Sequence, residues 1–272
     1  MKLQILSDLH REFYRQRYEP MDLPWRPSSK ADLIVLAGDI DHGNEAAEWL
    51  AVESERLGMP IVYVPGNHEY YGSVLEDRLT AMRERLRGTG THLLDCDEVV
   101  IDGVRFLGAT LWTDYRASLC TALPDLNLAM YQAGRMINDH RQIRTQVGAE
   151  PSAPAIEFTP HHARDLHRAA RNWLTERLSV AHEGPTVVVT HHGPCSLAQH
   201  RRYPVGELSG AYWSDMSELF VGVDLWVYGH THAAVDTLVE PSGMRLVSNQ
   251  AGYPHDTGVG FERVKLVELE SV

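Results

Sequence analysis

The strongest constraint on the fold of this chain is a repeated pattern in which a short apolar run ends in a polar cluster. In the first third of the sequence, these runs have the length of buried strands and alternate with amphipathic stretches of helical spacing. Such alternation predicts an α/β sheet with ligand-binding groups at the strand ends. The predicted strands are Lys2–Leu6, Leu33–Ala37 and Ile61–Val64, and the predicted helices are Glu45–Leu57 and Val74–Leu86.

Strand patterns also occur later in the chain. Asp102-Gly103 separates two apolar runs, Glu98–Ile101 and Val104–Gly108, and predicts a hairpin. Two further buried strands and a terminal β-meander are expected after residue 185. The strands are Thr186–Thr190 and Asp224–Tyr228, and the meander comprises Val235–Val239, Arg245–Ser248 and Glu262–Leu269.

The segment between these regions, from about residue 112 to residue 183, has few strand-like runs and several prolines. Its clearest pattern is an amphipathic helix at His161–Leu178, and a loop is predicted near Val147–Ala155. The chain of 272 residues is long enough for one large domain. We therefore expect a single domain, residues 1–272, that carries a helical insertion or lid at about 112–183.

Each polar cluster lies just beyond the C-terminal end of an apolar run and contains residue types that bind metals. In an open α/β sheet these strand ends meet at one crevice, so clusters that are far apart in sequence can converge. Residues two apart in an extended segment point to the same side, which applies to Asp8 with His10 and to His230 with His232. The candidate metal ligands are Asp8, His10, Asp39, Asn67, His191, His230 and His232.

These candidates offer carboxylate, imidazole and amide groups without sulfur, a donor set that suits divalent Mn, Fe, Co, Ni or Zn. They are too many for one tetrahedral ion. They suit two ions about 3.5–4 Å apart that share a carboxylate, an arrangement used for phosphoester hydrolysis. We therefore expect two divalent metal ions as cofactors, with Mn preferred over Fe, Zn, Ni or Co.

The formal net charge of −12 argues against broad binding to nucleic acid, which depends on a basic surface. A nucleotide or another small phosphate ester is compatible with this charge, because metal ions supply positive charge locally. The chain has no apolar run of about 18 residues, so no membrane span is expected. Its short apolar start without a cleavage site favours the cytoplasm.

Taken in order, the motifs resemble those of the calcineurin-like metallophosphoesterase superfamily, and most closely its small bacterial or phage-type members. The family pattern is D-x-H, G-D, G-N-H-D/E, H and G-H-x-H. The resemblance extends from residue 3 to residue 250 apart from the insertion, and it implies a four-layer α/β/β/α sandwich. The matching motifs are Asp8-Leu9-His10, Gly38-Asp39, Gly66-Asn67-His68-Glu69, His191 and Gly229-His230-Thr231-His232.

The resemblance also implies a role for each residue. A hydroxide that bridges the two ions would attack phosphorus, and His68 would act as the general acid that protonates the leaving oxygen. The implied ligand sets are Asp8, His10 and His232 for one ion, Asn67, His191 and His230 for the other, and Asp39 as the shared carboxylate.

The chain departs from the protein phosphatases of this superfamily, because residues 38–43 lack their Asp-Arg pair. This argues against protein phosphatase activity. Asp41 is a candidate for orienting His68, although it is offset from the usual position, and an ordinary loop carboxylate is the alternative. The candidates for lining the substrate pocket are Tyr70, Tyr71, Asn138, Asp139, His192 and His255.

These features predict metal-dependent hydrolysis of a phosphomonoester or phosphodiester of a small molecule or nucleotide. A metal-dependent nuclease is one alternative. A non-catalytic scaffold of the same fold that binds a protein partner is another. The sequence leaves the oligomeric state open.

Overall fold

A computed structural model of the protein describes residues 1–14, 25–119, 125–146, 154–256 and 258–269. Within these ranges the chain alternates between strands and helices, numbered here in chain order. The strands are β1 (Lys2–Leu6), β2 (Leu33–Leu36), β3 (Ile61–Tyr63), β4 (Ser73–Val74), β5 (Thr91–Leu93), β6 (Asp97–Ile101), β7 (Val104–Ala109), β8 (Ile143–Gln146), β9 (Ala155–Glu157), β10 (Thr186–Thr190), β11 (Leu225–Val227), β12 (Val235–Val239), β13 (Met244–Ser248) and β14 (Leu266–Glu268). The helices are α1 (Arg11–Tyr14), α2 (Gly43–Leu57), α3 (Leu75–Leu86), α4 (Leu126–Met136), α5 (Asp139–Gln142) and α6 (Pro160–Ser179).

Most of these strands belong to two large sheets. The first sheet has the order β14-β1-β2-β3-β5, and the second has the order β12-β13-β11-β10-β7-β6. The pairs β1–β2, β2–β3 and β3–β5 are parallel, and β10 is parallel to both β7 and β11. Central parallel strands are buried on both faces, which explains why they are continuous apolar runs in the sequence.

Three clusters of buried apolar side chains show how the sheets and helices are layered. Apolar side chains of both sheets, among them Val35 and Val189, form one cluster between the sheets. Helices α2 and α3 cover the outer face of the first sheet, where Leu50 and Met82 pack in the same cluster as Ile34. Helix α6 covers the second sheet, where Leu174 belongs to a cluster with several of its strands. The prediction of an α/β/β/α sandwich is therefore confirmed.

The predicted C-terminal meander is wrong for its last strand. Strands β12 and β13 do pair antiparallel, with Thr237 opposite Leu246. Strand β14 instead joins the other sheet, where it pairs antiparallel to β1 with Val267 opposite Leu3. An apolar run shows that a strand is buried, but it does not show which edge of which sheet it joins.

The segment from residue 112 to residue 183 is less purely helical than the sequence predicts. It contains α4, α5 and α6, and also β8 and β9, which form a third sheet with β4 in the order β4-β8-β9. Helix α6 forms an outer layer of the sandwich. Within this segment, only the residues that precede α6 could therefore cover the site. The predicted loop near Val147–Ala155 lies largely outside the described residues, and a lid function for this segment stays a prediction.

Within the described part of the chain, no helix is both long and apolar enough to cross a membrane.

Candidate metal centre and active site

The loops that follow β1, β2, β3, β10 and β11 bring the predicted metal ligands together. Two groups have ligand atoms within 4.8 Å of one another, namely Asp8 with His10 and His232, and Asp39 with His191 and His230. The side chains of Asp8, His10 and His191 are fully shielded from solvent. The predicted ligands therefore converge on one buried location, although they lie more than 200 residues apart at the extremes.

Five of the predicted ligands have a left-handed backbone conformation that side chains other than glycine seldom adopt. Such a conformation costs about 1–3 kcal/mol per residue and is concentrated at functional sites, where the surrounding structure enforces it. The φ angles are 52° for Asp8, 44° for His10, 54° for Asp39, 72° for His230 and 50° for His232.

A buried glutamate fixes the loops after β2 and β3 to each other. The carboxylate of Glu69 accepts hydrogen bonds from the backbone N–H groups of Asp39, Ile40 and Gly66 at 3.1, 2.8 and 2.8 Å. Gly66 is required here, because a Cβ atom at this position would lie 2.2 Å from Oδ1 of Asp39. The Asp39 side chain is thus held by backbone that tolerates no larger residue.

The first ligand group is compact. Nε2 of His10 lies 3.1 Å from Nε2 of His232, which in turn lies 3.5 Å from Oδ1 of Asp8. Each of these atoms can present a lone pair to the same point. A cation between them satisfies all three groups, so the side chains fit a divalent metal ion.

The second ligand group adds the amide that the sequence suggested. Nε2 of His191 lies 2.9 Å from Oδ1 of Asn67, 3.2 Å from Nδ1 of His230 and 3.5 Å from Oδ1 of Asp39. These distances again join electron-pair donors across a small space. The set of two imidazoles, one amide oxygen and one carboxylate also fits a divalent ion.

The outward-facing nitrogens of three imidazoles are already engaged. Nδ1 of His10 bonds to Oε1 of Glu12 at 3.0 Å, Nδ1 of His232 to Asp256 at 2.6 Å, and Nδ1 of His191 to the carbonyl oxygen of Ala37 at 2.8 Å. Because these partners are acceptors, each Nδ1 carries the hydrogen and each Nε2 directs a lone pair inward. This tautomer is the one that a metal-binding histidine needs.

Asp39 lies between the two groups. Its Oδ1 faces Nε2 of His191, whereas its Oδ2 lies 3.8 Å from Nε2 of His10 and 3.9 Å from Nε2 of His68. Burial acts to raise the pKa of Asp39, but the surrounding imidazoles more than offset it and hold the pKa well below its usual value. An ionised carboxylate with one oxygen toward each group is positioned to bridge two ions.

The pKa values of His191 and His230, two imidazoles of the second ligand group, are shifted in opposite directions. Burial acts to lower the pKa of His191, yet Asp39 more than offsets this and raises the pKa to about 10. Burial and the imidazoles of His192 and His191 keep the pKa of His230 well below its usual value. The negative charge of Asp39 thus draws positive charge to the second ligand group, where a divalent cation would replace the proton that His191 otherwise holds.

His68 lies beside the two groups and has different partners. Its Nδ1 is 3.0 Å from Oε1 of Glu12, and its Nε2 is 3.2 Å from the hydroxyl of Tyr253. Burial acts to lower its pKa, but Asp39 and Glu12 more than offset it and raise the pKa to about 9. The two carboxylates thus favour the protonated form of His68, and its Nε2 lies beside Tyr253, which lines the cavity described below.

The carboxylate that contacts Nδ1 of His68 is that of Glu12, whereas Asp41, the candidate from the sequence, has other partners. Asp41 is fully buried, and its carboxylate accepts from Nη1 of Arg11 at 2.9 Å and from the backbone N–H of His42 at 2.8 Å. Burial acts to raise the pKa of Glu12, but its bonds to His10 and His68 lower it to about 2. The sequence carried no clear signal for Glu12, which lies in α1 just after the Asp8-Leu9-His10 motif.

A cavity of about 700 Å³ opens over the metal centre. Four of the predicted substrate residues line it, and three residues that the sequence did not suggest, Arg202, Tyr212 and Tyr253, line it as well. Among the described residues that line the cavity, Arg202 is the only arginine or lysine. The four predicted residues are Tyr71, Asn138, Asp139 and His255.

Two predicted substrate residues lie beneath the site instead. Tyr70 is fully buried in the core, where its ring lies 6.0 Å from that of Trp112. His192 is also buried, with Nδ1 bonded to the carbonyl oxygen of Thr110 and its ring 4.2 Å from that of His230. Each follows or precedes a site residue directly, so its side chain points into the core, and sequence proximity to a motif was a poor guide.

Comparison with known proteins agrees with this geometry. Residues 1–234 match the family model of the calcineurin-like phosphoesterases. The chain belongs to that family. Membership makes it a hydrolase of phosphoric esters, in a family that uses divalent metal ions.

This phosphoesterase is similar to two curated proteins along most of its length. It is 24% identical over 276 residues to an uncharacterised protein of Acanthamoeba polyphaga mimivirus, covering 93% of this chain and 92% of that protein. It is also 24% identical over 277 residues to the acyl-carrier-protein phosphodiesterase PptH of Mycobacterium tuberculosis, covering 92% of this chain and 78% of that protein.

Two crystal structures share the fold of the phosphoesterase. The phosphopantetheinyl hydrolase PptH of Mycobacterium tuberculosis superposes with a TM-score of 0.67 at 20% identity, covering 93% of this chain and 90% of that chain. A dimetal phosphatase from Danio rerio superposes with a TM-score of 0.52 at 14% identity, covering 92% and 87%. At these identities the likeness establishes the fold.

Proposed function

We propose that this phosphoesterase hydrolyses phosphodiesters of small organic molecules with two divalent metal ions, and that His68 is its general acid. One observation carries the proposal: the two oxygens of Asp39 face two separate groups of metal-ligand atoms, and His68 stands beside them. One ion would be held by Asp8, His10 and His232, the other by Asn67, His191 and His230, and Asp39 would be shared.

When bound, the two ions would lower the pKa of a water molecule and neutralise charge on the phosphoryl oxygens. The remaining chemistry falls to protein groups. The alkoxide leaving group needs a proton, and His68 lines the cavity with Nε2 beside Tyr253, while Glu12 holds Nδ1 at 3.0 Å. General acid catalysis of this kind contributes about 10²–10⁴ in rate.

The cavity supports a diester over a monoester. Its volume of about 700 Å³ exceeds what a phosphoryl group needs and lies in the range of drug-sized ligand sites. Beyond the metal centre its wall includes the side chains of Met136, Ile137 and Leu208, which can contact an organic ester arm. The phosphodiesterase activity named for the relative PptH points to the same class of bond.

The nitrogen and oxygen donors of the site accommodate Mn, Fe, Zn, Ni and Co alike. We propose Mn first because the set contains carboxylate and amide oxygens, which suit Mn. A small ester or a nucleotide is the proposed substrate. The cytoplasmic location expected from the sequence stays a prediction.

The test is a turnover screen of the purified chain with phosphate mono- and diesters, including nitrophenyl esters, nucleotides and a phosphopantetheine diester, across these metals. We expect diester turnover that chelation removes and Mn²⁺ restores. Asp39→Ala and His68→Ala should abolish it. His182→Ala is the matched control, because this imidazole bonds to the carbonyl oxygen of Gly103 outside the site and should leave turnover unchanged.

The outcomes separate the candidate functions. Turnover of monoesters alone would overturn the diester proposal but keep the metal mechanism. Cleavage of single- or double-stranded DNA in preference to small esters would identify a nuclease. Two bound ions without turnover of any ester would favour a non-catalytic scaffold, and wild-type turnover in His68→Ala would exclude this residue as the acid.

A further inference from the structure

Asp139 lines the cavity, and its carboxylate is bonded to the amide group of a predicted metal ligand. It lies in α5, is 4% exposed, and its Oδ1 lies 2.8 Å from Nδ2 of Asn67. We propose that Asp139 is a positioning residue of the metal centre: it holds the amide of Asn67 with its oxygen toward the ion, and so makes residues 126–146 part of the metal site. The inference rests on the proposed function, because it takes Asn67 as a ligand.

The hydrogen-bond directions around Asn67 follow from the donor and acceptor types. An ionised carboxylate only accepts, so the atom of Asn67 next to Asp139 is the amide nitrogen. The hydroxyl of Tyr71 donates to the same Oδ1 at 2.7 Å, and its oxygen lies 3.1 Å from Nδ2 of Asn67. The NH₂ group of Asn67 thus faces two acceptor oxygens on one side.

This arrangement leaves Oδ1 of Asn67 facing Nε2 of His191 at 2.9 Å, in the second ligand group. A carboxamide binds hard and borderline metal ions through its oxygen. A half-turn of the amide would direct its NH₂ group at the ion and its oxygen at Asp139, which is unfavourable at both ends. Asp139 therefore excludes the orientation of Asn67 that cannot bind metal.

Asp139 is brought to Asn67 by strand pairing. Strand β8 pairs in parallel with β4, which follows the Asn67 loop, and the backbone N–H of Gly72 donates to the carbonyl oxygen of Gln142 at 2.8 Å. The hydroxyl of Thr145 donates to Glu76 of α3 at 2.6 Å. Because docking of this segment orients a metal ligand, metal binding must in turn stabilise the docked segment.

A substrate-binding role for the Asp139 carboxylate is less favourable. A phosphodiester is anionic, and a carboxylate close to it would repel it in a site of low dielectric constant. The carboxylate also already accepts two hydrogen bonds at Oδ1. The contacts of Asp139 therefore favour a role behind the metal ligand.

The test measures Mn²⁺ binding to the purified full chain by calorimetry, with metal content determined by elemental analysis. Asp139→Ala should lower the affinity for one of the two ions by about 10–100-fold, which is the usual effect of losing a group that orients a ligand. The affinity for the other ion should be unchanged. Glu157→Ala is the matched control. It removes an exposed carboxylate from β9, in the same small sheet as β8 but outside the site, so both ions should bind as in the wild type.

A charge-swapped double variant, Asn67→Asp with Asp139→Asn, distinguishes orientation from general support of the fold. An aspartate at 67 presents oxygen to the ion in either orientation, and an asparagine at 139 can donate to it. The net charge is unchanged. We expect this variant to regain most of the affinity that Asp139→Ala loses.

Equal binding of both ions in Asp139→Ala and wild type would overturn the inference, and the proposed function would still stand. Equal loss of both ions in Asp139→Ala, or failure of the folded double variant to regain affinity, would also overturn it. Asn67→Ala is the reference for the proposed function: if that variant keeps both ions at full affinity, the ligand assignment itself is wrong.

Discussion

Replacing Glu12 by glutamine tests how the imidazole of His68 is held. Oε1 of Glu12 lies 3.0 Å from Nδ1 of both His10 and His68. Glutamine has nearly the same shape and keeps a carbonyl oxygen, but it removes the negative charge. His68 therefore keeps an acceptor for Nδ1–H and loses a charge that favours its protonated form.

The size of the effect follows from the forces on His68. Burial acts to lower its pKa, and the carboxylates of Asp39 and Glu12 raise it to about 9. Loss of an opposite charge at this distance lowers such a pKa by about 1–3, which corresponds to about 1.4–4 kcal/mol against the protonated form. Loss of a carboxylate behind a metal-binding histidine reduces activity by about 10–100-fold. We expect Glu12→Gln to reduce kcat for an alkyl ester by a factor in that range.

The assay compares two diesters that differ only in their leaving group. A nitrophenolate leaves without help from an acid, whereas an alkoxide needs a proton, so Glu12→Gln should slow the alkyl ester more. The alkaline limb of its pH–rate profile should move to lower pH, because His68 then loses its proton at lower pH. Asp41→Asn is the matched control, since this buried carboxylate pairs with Arg11 and should leave both readouts unchanged.

Equal slowing of both esters by Glu12→Gln, with the alkaline limb unmoved, would refute the assignment of Glu12 to the acid. A shifted limb in Asp41→Asn but not in Glu12→Gln would return that role to Asp41, as the sequence suggested.

Three further predictions address other parts of the molecule. Asp256 lies 2.6 Å from Nδ1 of His232, so Asp256→Asn should lower Mn²⁺ affinity by about 10–100-fold in a chelator competition; unchanged affinity would exclude its orienting role. Arg202 is the only lysine or arginine among the described residues that line the cavity, so Arg202→Gln should raise KM for esters whose second arm is anionic and leave KM unchanged for a neutral arm. Equal KM changes for both arms would contradict this. Burial lowers the pKa of His167, so below about pH 6.5 its imidazole binds a proton in the unfolded chain but not in the folded one. As the pH decreases further, the free energy of unfolding should therefore decrease by at most about 1.4 kcal/mol per pH unit. Urea titrations between pH 6.5 and 5 should show a shallower fall for His167→Gln, and an equal slope would contradict the prediction.

The sequence by itself identified the family and the seven candidate ligands, because these depend on local signals. Apolar runs mark the buried parallel strands, and the polar residues that follow each strand lie at the edge where parallel strands end together. Helix α2, predicted from Glu45 and observed from Gly43, shows how closely hydrophobic spacing defines such elements. These inferences needed no knowledge of which strands are neighbours.

Only the tertiary structure decided which side chains stand behind the ligands. Glu12, Asp139 and Asp256 reach the site from α1, from α5 and from a C-terminal loop, and no sequence spacing links Asp139 to Asn67, 72 residues earlier. For the same reason, the sequence did not determine that β14 pairs with β1 at the edge of the first sheet. The spacing of apolar residues indicates that one face of a strand or helix is buried. Which element packs against that face depends on how distant segments of the chain pack together.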